Sequence, residues 1–344
     1  MMKLMSVFLS IIMVLTVVGC GSTNSTNTSA NDSTNNSATN ENASKGETTS
    51  SDYPNQQIKM IIPYGPGGAT DIIFRLIASH AERNLGQTIV PVNVEGASST
   101  NGSRQVKDAA PNGYTILASH DVIATAYFAG VVDYSFEAFE PVAMLTQTPN
   151  IPTVHKDTGW KNMSDFVNYI KENPGEVKWS MTPGSTDHFF IAQLMKAAGL
   201  DLDSLKLIGY QGTGEQINAL LAQQINGAMT NYTSGKAYFD NEFVALGVAH
   251  DERLAEADQI PTLIEQGINM TNATSRGIFA PKGTPEEIII KIEEAFRKAM
   301  EDPEVQSKIK ELGSIPRFKP HNEYKQFVSD LQTELGELAK NMEF

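Results

Sequence analysis

The residues best suited to bind a ligand form a glycine-rich turn between an apolar run at 59–63 and a helical pattern. Glycine frees the backbone N–H groups to approach a ligand, and Thr70 or Asp71 can cap a helix whose positive dipole end points the same way. A turn of this kind is suited to bind an anion, although a capped strand-to-helix turn that binds no ligand would have the same sequence pattern. This turn, the first corner, is Tyr64-Gly65-Pro66-Gly67-Gly68-Ala69-Thr70-Asp71.

A second turn, about a hundred residues later, repeats the same order of features. It follows an apolar strand pattern at 177–181 and precedes a helix that places Phe190, Leu194 and Ala198 on one face. Two predicted helix starts therefore offer hydrogen-bond donors. The second corner carries the candidate residues Gly184, Ser185, Thr186, Asp187 and His188.

Histidines near these turns raise the question of an enzyme or a metal site. His120 and His188 lie beside Ser119 and Ser185, but no Gly-x-Ser-x-Gly elbow is present. The six histidines are scattered, without a His-x-x-x-His pair. The first corner also lacks the Gly-Lys-Ser/Thr ending of a phosphate-binding loop. We therefore expect no catalytic residue, no metal and no cofactor.

Charge and cysteine content narrow the partners. The formal net charge of the 344 residues is -14, which argues against nucleic acid because phosphates would be repelled over most of the surface. An anionic ligand stays compatible with this charge, since local donors decide binding at a site. Cys20 is the single cysteine, so no disulfide can form within the chain.

The N-terminus predicts export and anchoring. Lys3 precedes a nearly continuous apolar run at 6–18, the pattern of a secretory signal peptide. Small and aliphatic residues directly before Cys20 resemble a bacterial lipoprotein signal, which implies cleavage after residue 19 and lipidation of Cys20. Residues 20–51 are mostly Asn, Ser and Thr and predict a disordered tether. The mature protein would then be held on the outer face of the plasma membrane.

From residue 52 onward, predicted strands alternate with predicted helices, which indicates an α/β architecture with largely parallel sheets. An extended stretch at 141–154 reads as a crossing between two lobes. We assign 52–147 plus 246–344 to the first lobe and 148–245 to the second. Ser119 ends a predicted strand, at the edge where open α/β sheets bind ligands.

With these features in place, the chain from residue 53 onward resembles the substrate-binding proteins of tripartite tricarboxylate transporters, the TctC or Bug family. The order and spacing of the matching segments are jointly specific. They are Tyr53-Pro54, the first corner, Leu85-Gly86-Gln87, Pro111-Asn112-Gly113-Tyr114-Thr115, Phe139-Glu140-Pro141-Val142-Ala143, Gly184-Ser185-Thr186-Asp187-His188 and Pro261-Thr262-Leu263.

The resemblance implies a type II periplasmic-binding-protein fold, with two α/β lobes around a ligand cleft joined by crossing strands. It implies capture of a small carboxylate by backbone N–H groups, hydroxyls and ordered waters, without an arginine clamp, and delivery to membrane transporter subunits. A lipid-anchored sensor that presents the same carboxylate to a signalling receptor is the alternative. The resemblance implies that the residues of both corners form the ligand site and, in second place, that Ser119, Tyr210, Gly212 and Asn231 belong to it.

Three points stay open at this stage. Asp187 either faces the ligand, where it would repel a distal carboxylate, or stabilises its own helix start. Tyr210 fits equally well as a half-buried aromatic residue of a strand, and Asn231 fits equally well as part of a turn at the end of a strand. The segment 98–101 reads Ser-Ser-Thr-Asn where many relatives carry glycines, which leaves the shape of that cleft wall unsettled. Citrate-like acids, dicarboxylates, acidic amino acids and aromatic carboxylates all fit the pattern.

Overall fold

The computed structural model describes residues 52–210, 212–342 and 344. The predicted signal peptide, Cys20 and the predicted tether lie outside this range. Ten strands are described: β1 (Ile58–Ile62), β2 (Ile89–Asn93), β3 (Thr115–Ser119), β4 (Phe139–His155), β5 (Val177–Met181), β6 (Leu205–Gly209), β7 (Gly227–Asn231), β8 (Phe243–Ala245), β9 (Ala273–Pro281) and β10 (Ile315–Lys319).

The α-helices of the described residues fill the intervals between these strands, apart from short 3-10 turns. They are α1 (Ala69–Leu85), α2 (Thr100–Lys107), α3 (Val122–Phe128), α4 (Met163–Glu172), α5 (Thr186–Ala197), α6 (Thr213–Leu221), α7 (Tyr232–Gly235), α8 (Glu286–Glu301), α9 (Pro303–Glu311) and α10 (His321–Ala339).

The strands form one continuous mixed arrangement, in the order β2-β1-β3-β9-β4-β7-β5-β6, with β8 and β10 also paired to β4. Pairing is parallel where helices connect neighbours, as between β1 and β2 or β5 and β6. The strand β9 is antiparallel to both β3 and β4. The predicted α/β class is therefore confirmed.

The long strand β4 joins two halves of the fold. Its first part pairs with β9 as far as Pro149, and its second part pairs with β7 from Asn150 onward. The sequence predicts this stretch as an extended crossing at 141–154. We call the half that contains β1, β2, β3 and β9 the first lobe, and the half that contains β5, β6 and β7 the second lobe.

Helix α1 shows why the first corner has a fixed position. Its buried side chains Ile73, Phe74 and Ile77 pack into the first-lobe core with residues of β1 and α8. The helix ends at Gly86, whose φ of 75° closes the last turn through an N–H bond to Glu82 O. A helix packed along its whole length holds its N-terminus at one place beside the sheet.

The return of the chain to the first lobe differs from the prediction. We expected it at residue 246, but Leu246, Leu263 and Met270 lie in the same buried cluster as Trp179 of the second lobe. Strand β8 pairs with the second part of β4 and stays in that lobe. The physical reason is hydrophobic: this segment completes the second core, and β9 then carries the chain back.

Candidate functional site

The first corner connects β1 to α1. Helix α1 begins at Ala69, with Gly68 as the residue before it, and no side chain caps it directly. The prediction that Thr70 or Asp71 caps the helix is therefore wrong. Both residues lie inside the first helical turn, and their side chains have other partners.

The Asp71 carboxylate holds the loop of the first corner together. It accepts hydrogen bonds from Gly67 N at 2.9 Å, Asn93 Nδ2 at 2.8 Å and Arg75 Nε at 2.8 Å. Burial alone would raise the pKa of Asp71, but these hydrogen bonds and the Arg75 charge outweigh it and lower the pKa. Asp71 is thus an ionised brace, with its oxygens turned toward the protein.

The first corner keeps several backbone donors unused. Among the described residues, no acceptor takes the N–H groups of Gly68, Ala69 and Thr70, whereas Gly67 N is taken by Asp71. Such N–H groups at a helix start carry the positive end of the dipole. The loop atoms of Gly67 and Gly68 are exposed. The corner can therefore present its donors to an anion in solution.

Glycine is not required by the fold at position 68. Gly68 has φ -73° and ψ 160°, a conformation open to any residue. A Cβ there would meet only Gly65 O, at 3.6 Å. Gly67 differs, because its φ of 79° lies in the left-handed region. Space in front of Gly68 is left free by the protein itself.

Arg276, which sequence reasoning missed, lies against this corner. Its Nε donates to Thr70 Oγ1 at 3.0 Å, and its Nη1 donates to Thr148 Oγ1 on β4 at 2.5 Å. The residue is only 3% exposed. A charged residue inside an otherwise apolar buried strand was the available signal, but its position against Thr70 follows from tertiary pairing.

Tyr64 and Ser119 meet as predicted candidates at the end of β1 and β3. Tyr64 Oη lies 3.2 Å from Ser119 Oγ, and the Tyr64 ring stacks on His120 with centroids 4.8 Å apart. Burial raises the pKa of Tyr64 and lowers the pKa of His120 well below its usual value. Both side chains are therefore neutral at pH 7 and can act as hydrogen-bonding groups only.

Asp121 follows this pair and faces the start of β9. Its Oδ1 accepts a hydrogen bond from Ser275 N at 2.9 Å. Burial raises the pKa of Asp121 to about 6, against the effects of that hydrogen bond and of the Arg276 charge. Asp121 also lines a cavity of about 330 Å³ that contains Thr186 of the second corner. This cavity brings residues of both lobes together.

The loop before α2 carries its own strain. The consecutive residues Ala97, Ser98 and Ser99 have φ of 48°, 52° and 68°, all in the left-handed region. Non-glycine residues rarely adopt this conformation. These three residues therefore continue the left-handed path that begins at Gly96, whose φ is 108°. The loop lies beside Tyr64, and a hydrogen bond from the Ser99 side chain acts to lower the Tyr64 pKa.

The second corner is also braced by an aspartate. Asp187 Oδ2 accepts hydrogen bonds from Thr182 N at 2.9 Å and Gln216 Nε2 at 2.5 Å, and Oδ1 accepts from His188 N at 3.0 Å. Burial dominates here and raises the pKa of Asp187, although these hydrogen bonds oppose it. Both carboxylate oxygens bind donors of the protein, which favours the interpretation that Asp187 stabilises its own helix start.

The backbone donors of the second corner are mostly used inside the corner. Gly184 N donates to His188 Nδ1 at 3.4 Å, and Ser185 N donates to Thr182 O at 3.0 Å. Gly184 is buried with φ 70°, and a Cβ there would lie 2.4 Å from the Cβ of Ala129 beyond α3. The second corner is therefore pressed against the first lobe, with few free N–H groups.

The remaining predicted residues lie on the second lobe. The Asn231 side chain accepts from Ser234 N at 3.0 Å in a capping box for α7. Tyr210 is half-buried beside the hydrophobic cluster that contains Leu220. Gly212 precedes α6 and accepts from Gln216 N through its carbonyl. These contacts assign Asn231 and Tyr210 structural partners, and no hydrogen bond among the described residues joins the two corners.

Two further searches of the described residues are negative. No cluster of three or more His, Cys, Asp or Glu side chains is arranged to hold a metal ion there. Within the same part of the chain, none of the helices combines the length and the apolar content that crossing a membrane requires.

Comparison with known proteins gives a consistent result. The model of the family described as "Tripartite tricarboxylate transporter family receptor", TctC, matches residues 73–344. A UPF0065 protein of Bordetella pertussis is 28% identical over 295 residues, which is 84% of this chain and 90% of that protein.

Solved structures agree with these sequence matches. A TctC solute-binding protein from Polaromonas superposes with a TM-score of 0.72 at 25% identity, covering 84% of this chain and 100% of that one. MatC from Rhodopseudomonas palustris, solved with bound malate, superposes with a TM-score of 0.70 at 26% identity, covering 83% and 100%. The fold is therefore that of periplasmic solute-binding proteins of the TctC type, as predicted.

Proposed function

The chain belongs to the tripartite tricarboxylate transporter receptor family, TctC, a family of extracytoplasmic solute-binding receptors, and we propose that it captures a small organic carboxylate by lobe closure. It then delivers this ligand to the membrane subunits of a tripartite carboxylate transporter. The observation that carries the proposal is the set of free N–H groups at Gly68, Ala69 and Thr70.

The chemistry of the first corner supports an anionic ligand. Three free N–H groups lie at the start of α1, a helix of 17 residues, beside the exposed residues Gly67 and Gly68. The positive end of the helix dipole lies at the same position. The Thr70 hydroxyl lies on the same helical turn, and the hydroxyls of Tyr64 and Ser119 lie 3.2 Å from each other at the neighbouring strand ends. MatC, the 26% identical neighbour, holds malate, which supports a carboxylate as the ligand class.

We divide the proposed site residues by task. Tyr64, Gly65, Gly67, Gly68, Ala69, Thr70 and Ser119 would contact or shape the ligand from the first lobe, with Asp71 as their brace. Gly184, Ser185, Thr186 and His188 would approach from the second lobe, with Asp187 as brace, and Tyr210, Gly212 and Asn231 would border the cleft.

Location and anchoring complete the proposal. The protein acts outside the cytoplasm, as its family does. We propose in addition that Cys20 is lipidated after cleavage of residues 1–19, so that a flexible tether holds the receptor beside its transporter. Replacing Cys20 with serine should abolish fatty-acid incorporation and release the protein from the membrane fraction. Continued lipidation of that variant would refute the assignment.

Ligand capture is tested with the purified protein. We expect mass spectrometry of the denatured protein to identify a copurified carboxylate. After removal of that ligand, thermal unfolding with malate, succinate, citrate, glutamate or benzoate should show a raised midpoint for at least one, because a ligand that binds the native state stabilises it by about 2.7 kcal/mol at a hundredfold excess over Kd. Matching uncharged amides serve as controls. No shift with any carboxylate would contradict the proposal.

A further inference from the structure

We propose that Arg276 is the charged group that recognises the ligand carboxylate, making it a specificity-determining residue of the first corner. The ligand class is then an anion with an ionised carboxylate at the first-corner end. This inference rests on the proposed function and deepens it, since it assigns the charge recognition to one residue on β9, and it departs from the expectation of capture without an arginine clamp.

The Arg276 guanidinium has unused donors. It carries five N–H groups, of which the structure uses two, toward Thr70 Oγ1 and Thr148 Oγ1. Among the described residues, Nη2 donates to no acceptor. Thr148 Oγ1 in turn pairs with Ser314 Oγ at 2.6 Å, so that neutral hydroxyls form the entire partner set. The three remaining N–H groups form a fork that matches the geometry of a carboxylate.

The protein supplies no counter-charge in contact with this cation. No carboxylate of the described residues lies within 4 Å of the guanidinium. Asp71 is paired with Arg75, and Asp121 is turned to the Ser275 N–H group. The Asp121 charge acts on the guanidinium without contacting it. A buried cation without a contacting anion is destabilising, and an anionic ligand would supply that contact.

The surrounding groups leave this positive charge intact at neutral pH. Tyr64 and His120 are neutral, as is Tyr324 on α10, whose pKa burial raises well above its usual value. Burial lowers the pKa of Arg276 to about 10, which still leaves it protonated at pH 7. The guanidinium is thus a cation at neutral pH, surrounded by neutral aromatic and hydroxyl groups and by the Asp121 carboxylate beyond contact distance.

Position links this cation to the free donors of the first corner. Thr70 binds Arg276 through its hydroxyl while its own N–H group lacks an acceptor. A carboxylate seated before Gly68 and Ala69 would therefore meet the helix dipole and the guanidinium together. Among the residues that the structure describes, no comparable cation takes part in the hydrogen bonds of the second corner. The charged end of the ligand is accordingly assigned to the first corner.

A purely structural role makes different predictions. If Arg276 serves only to tie Thr70 to Thr148, then removing either end should lower stability equally and leave the affinity of the folded protein unchanged. A recognition role places the loss in binding. Affinity and stability must therefore be measured on the same variants.

The experiment compares R276Q, R276K and T148V with the wild type, using R253Q as the matched control. Arg253 is exposed and pairs with Glu265, outside the site. Each purified full-length protein is freed of ligand and titrated calorimetrically with malate, succinate, citrate, glutamate and benzoate, and its unfolding is followed separately. We expect R276Q to lose on the order of 100-fold in affinity, R276K to lose less, and T148V and R253Q to lose about threefold or less.

A second measurement covers the case in which R276Q does not fold. In wild-type protein labelled with ¹⁵N-arginine, the Arg276 Nε signal, assigned by its absence from R276K, should shift on addition of a bound carboxylate and not of its amide. A purely structural arginine would keep its signal unchanged. An unchanged signal, or equal affinity in a folded R276Q, overturns the role of Arg276 while the proposed function stands. Failure of the wild type to bind any of the five carboxylates overturns both.

Discussion

The two corners share an order of residues but differ in where their backbone donors are directed. At the first corner, Asp71 takes one N–H group, and those of Gly68, Ala69 and Thr70 are left for a ligand. At the second corner, the N–H groups of Thr182, Gly184 and Ser185 have acceptors within the corner, whereas those of Thr186 and Asp187 have no acceptor on another described residue. The first corner therefore keeps more free donors, including the one at Gly68, while hydrogen bonds within the second corner close most of its loop.

The electrostatics of the corners differ in the same direction. Asp71 has a lowered pKa beside Arg75, and Arg276 adds a positive charge that no carboxylate of the described residues contacts. Asp187 has a raised pKa and only the neutral Gln216 as its side-chain partner. A similar residue order thus produces one half-site beside a buried cation and another that is packed and has no cation among its described partners. Under the proposed function, the charged end of the ligand lies at the first corner, and the second corner closes over it.

The largest expected effect comes from filling the space in front of the first corner. Gly68→Val should reduce carboxylate affinity by at least 100-fold, because its side chain would occupy the volume that the free N–H groups face. The backbone at 68 tolerates any residue, so the unfolding midpoint should stay within about 2 °C of the wild type. Calorimetric titration and thermal unfolding measure the two effects.

The control for this change is Gly214→Val, early in α6, where a Cβ meets nothing within 4 Å. It should leave affinity unchanged. If Gly68→Val binds normally, or if it loses binding only because it unfolds, the first corner is not the open half-site.

Packing of the second corner predicts the next largest effect, on stability. Gly184→Ala should lower the free energy of unfolding by about 3 kcal/mol, since it combines left-handed strain with a contact on Ala129. The matched control is Gly199→Ala, which has a φ of 68° but open space around its Cβ. That variant should lose only about 1 kcal/mol in urea unfolding. Equal losses would show that the second corner does not press on the first lobe.

Local sequence patterns account for the presence of both corners but not for this difference. Strand, glycine turn and helix start are short-range features, and they predict β1, α1, β5 and α5. Which donors stay free depends on contacts from distant segments, such as Asn93 on Asp71 and Gln216 on Asp187. These partners lie 22 and 29 residues away and follow from the assembled sheet.

Arg276 illustrates the same limit for the site. The sequence places it at the start of a strand predicted at 276–281, whereas the strand begins at Ala273 and carries Arg276 in its interior, opposite Thr146. That pairing, with the packing of α1, brings it to Thr70. The helices α3 and α7 and the strand β10 were also missed, because elements of four to seven residues are stabilised mainly by tertiary packing.

Opposite pKa shifts of the two aspartates predict opposite pH dependences. Folding lowers the pKa of Asp71, so its contribution is present above the unfolded pKa of about 3.9 and is lost as pH falls through the folded value. Folding raises the pKa of Asp187, so its contribution is present below about 3.9 and is lost as pH rises through the folded value. The ionised form is favoured at one corner and the neutral form at the other.

Substitution by asparagine makes this difference measurable in urea unfolding. Asp71→Asn should cost about 1–2 kcal/mol at pH 7 and less at pH 4, since the lost hydrogen bonds are to a charged group. The cost of Asp187→Asn should instead grow as pH falls from 7 to 4. Asp187→Asn should also leave the order of carboxylate affinities unchanged, because its oxygens face the loop. Parallel pH slopes for the two variants would contradict the electrostatic contrast.

The smallest expected effect concerns Asp121, the carboxylate that partly offsets Arg276 at the first-corner side. Burial raises its pKa to about 6, so it is mostly ionised at pH 7.5 and mostly neutral at pH 5. The groups around it are neutral Tyr64, His120 and Tyr324 and the cation Arg276. Its cavity also contains charged and titratable groups from β10, α10 and the segment after β8, namely His250, Asp251, Arg317, Lys319 and Glu334.

Loss of the Asp121 charge should strengthen anion binding. We expect carboxylate affinity to rise by a factor of two to five, on the order expected for one screened charge, as pH falls from 7.5 to 5, provided that the ligand stays ionised. Asp121→Asn should bind about as tightly at pH 7.5 as the wild type does at pH 5, and its profile should be flatter. Any slope that remains in this variant belongs to other groups of the cavity or to the ligand. If the two profiles coincide, Asp121 does not tune the field of Arg276, and the positive charge at the first corner acts on the ligand alone.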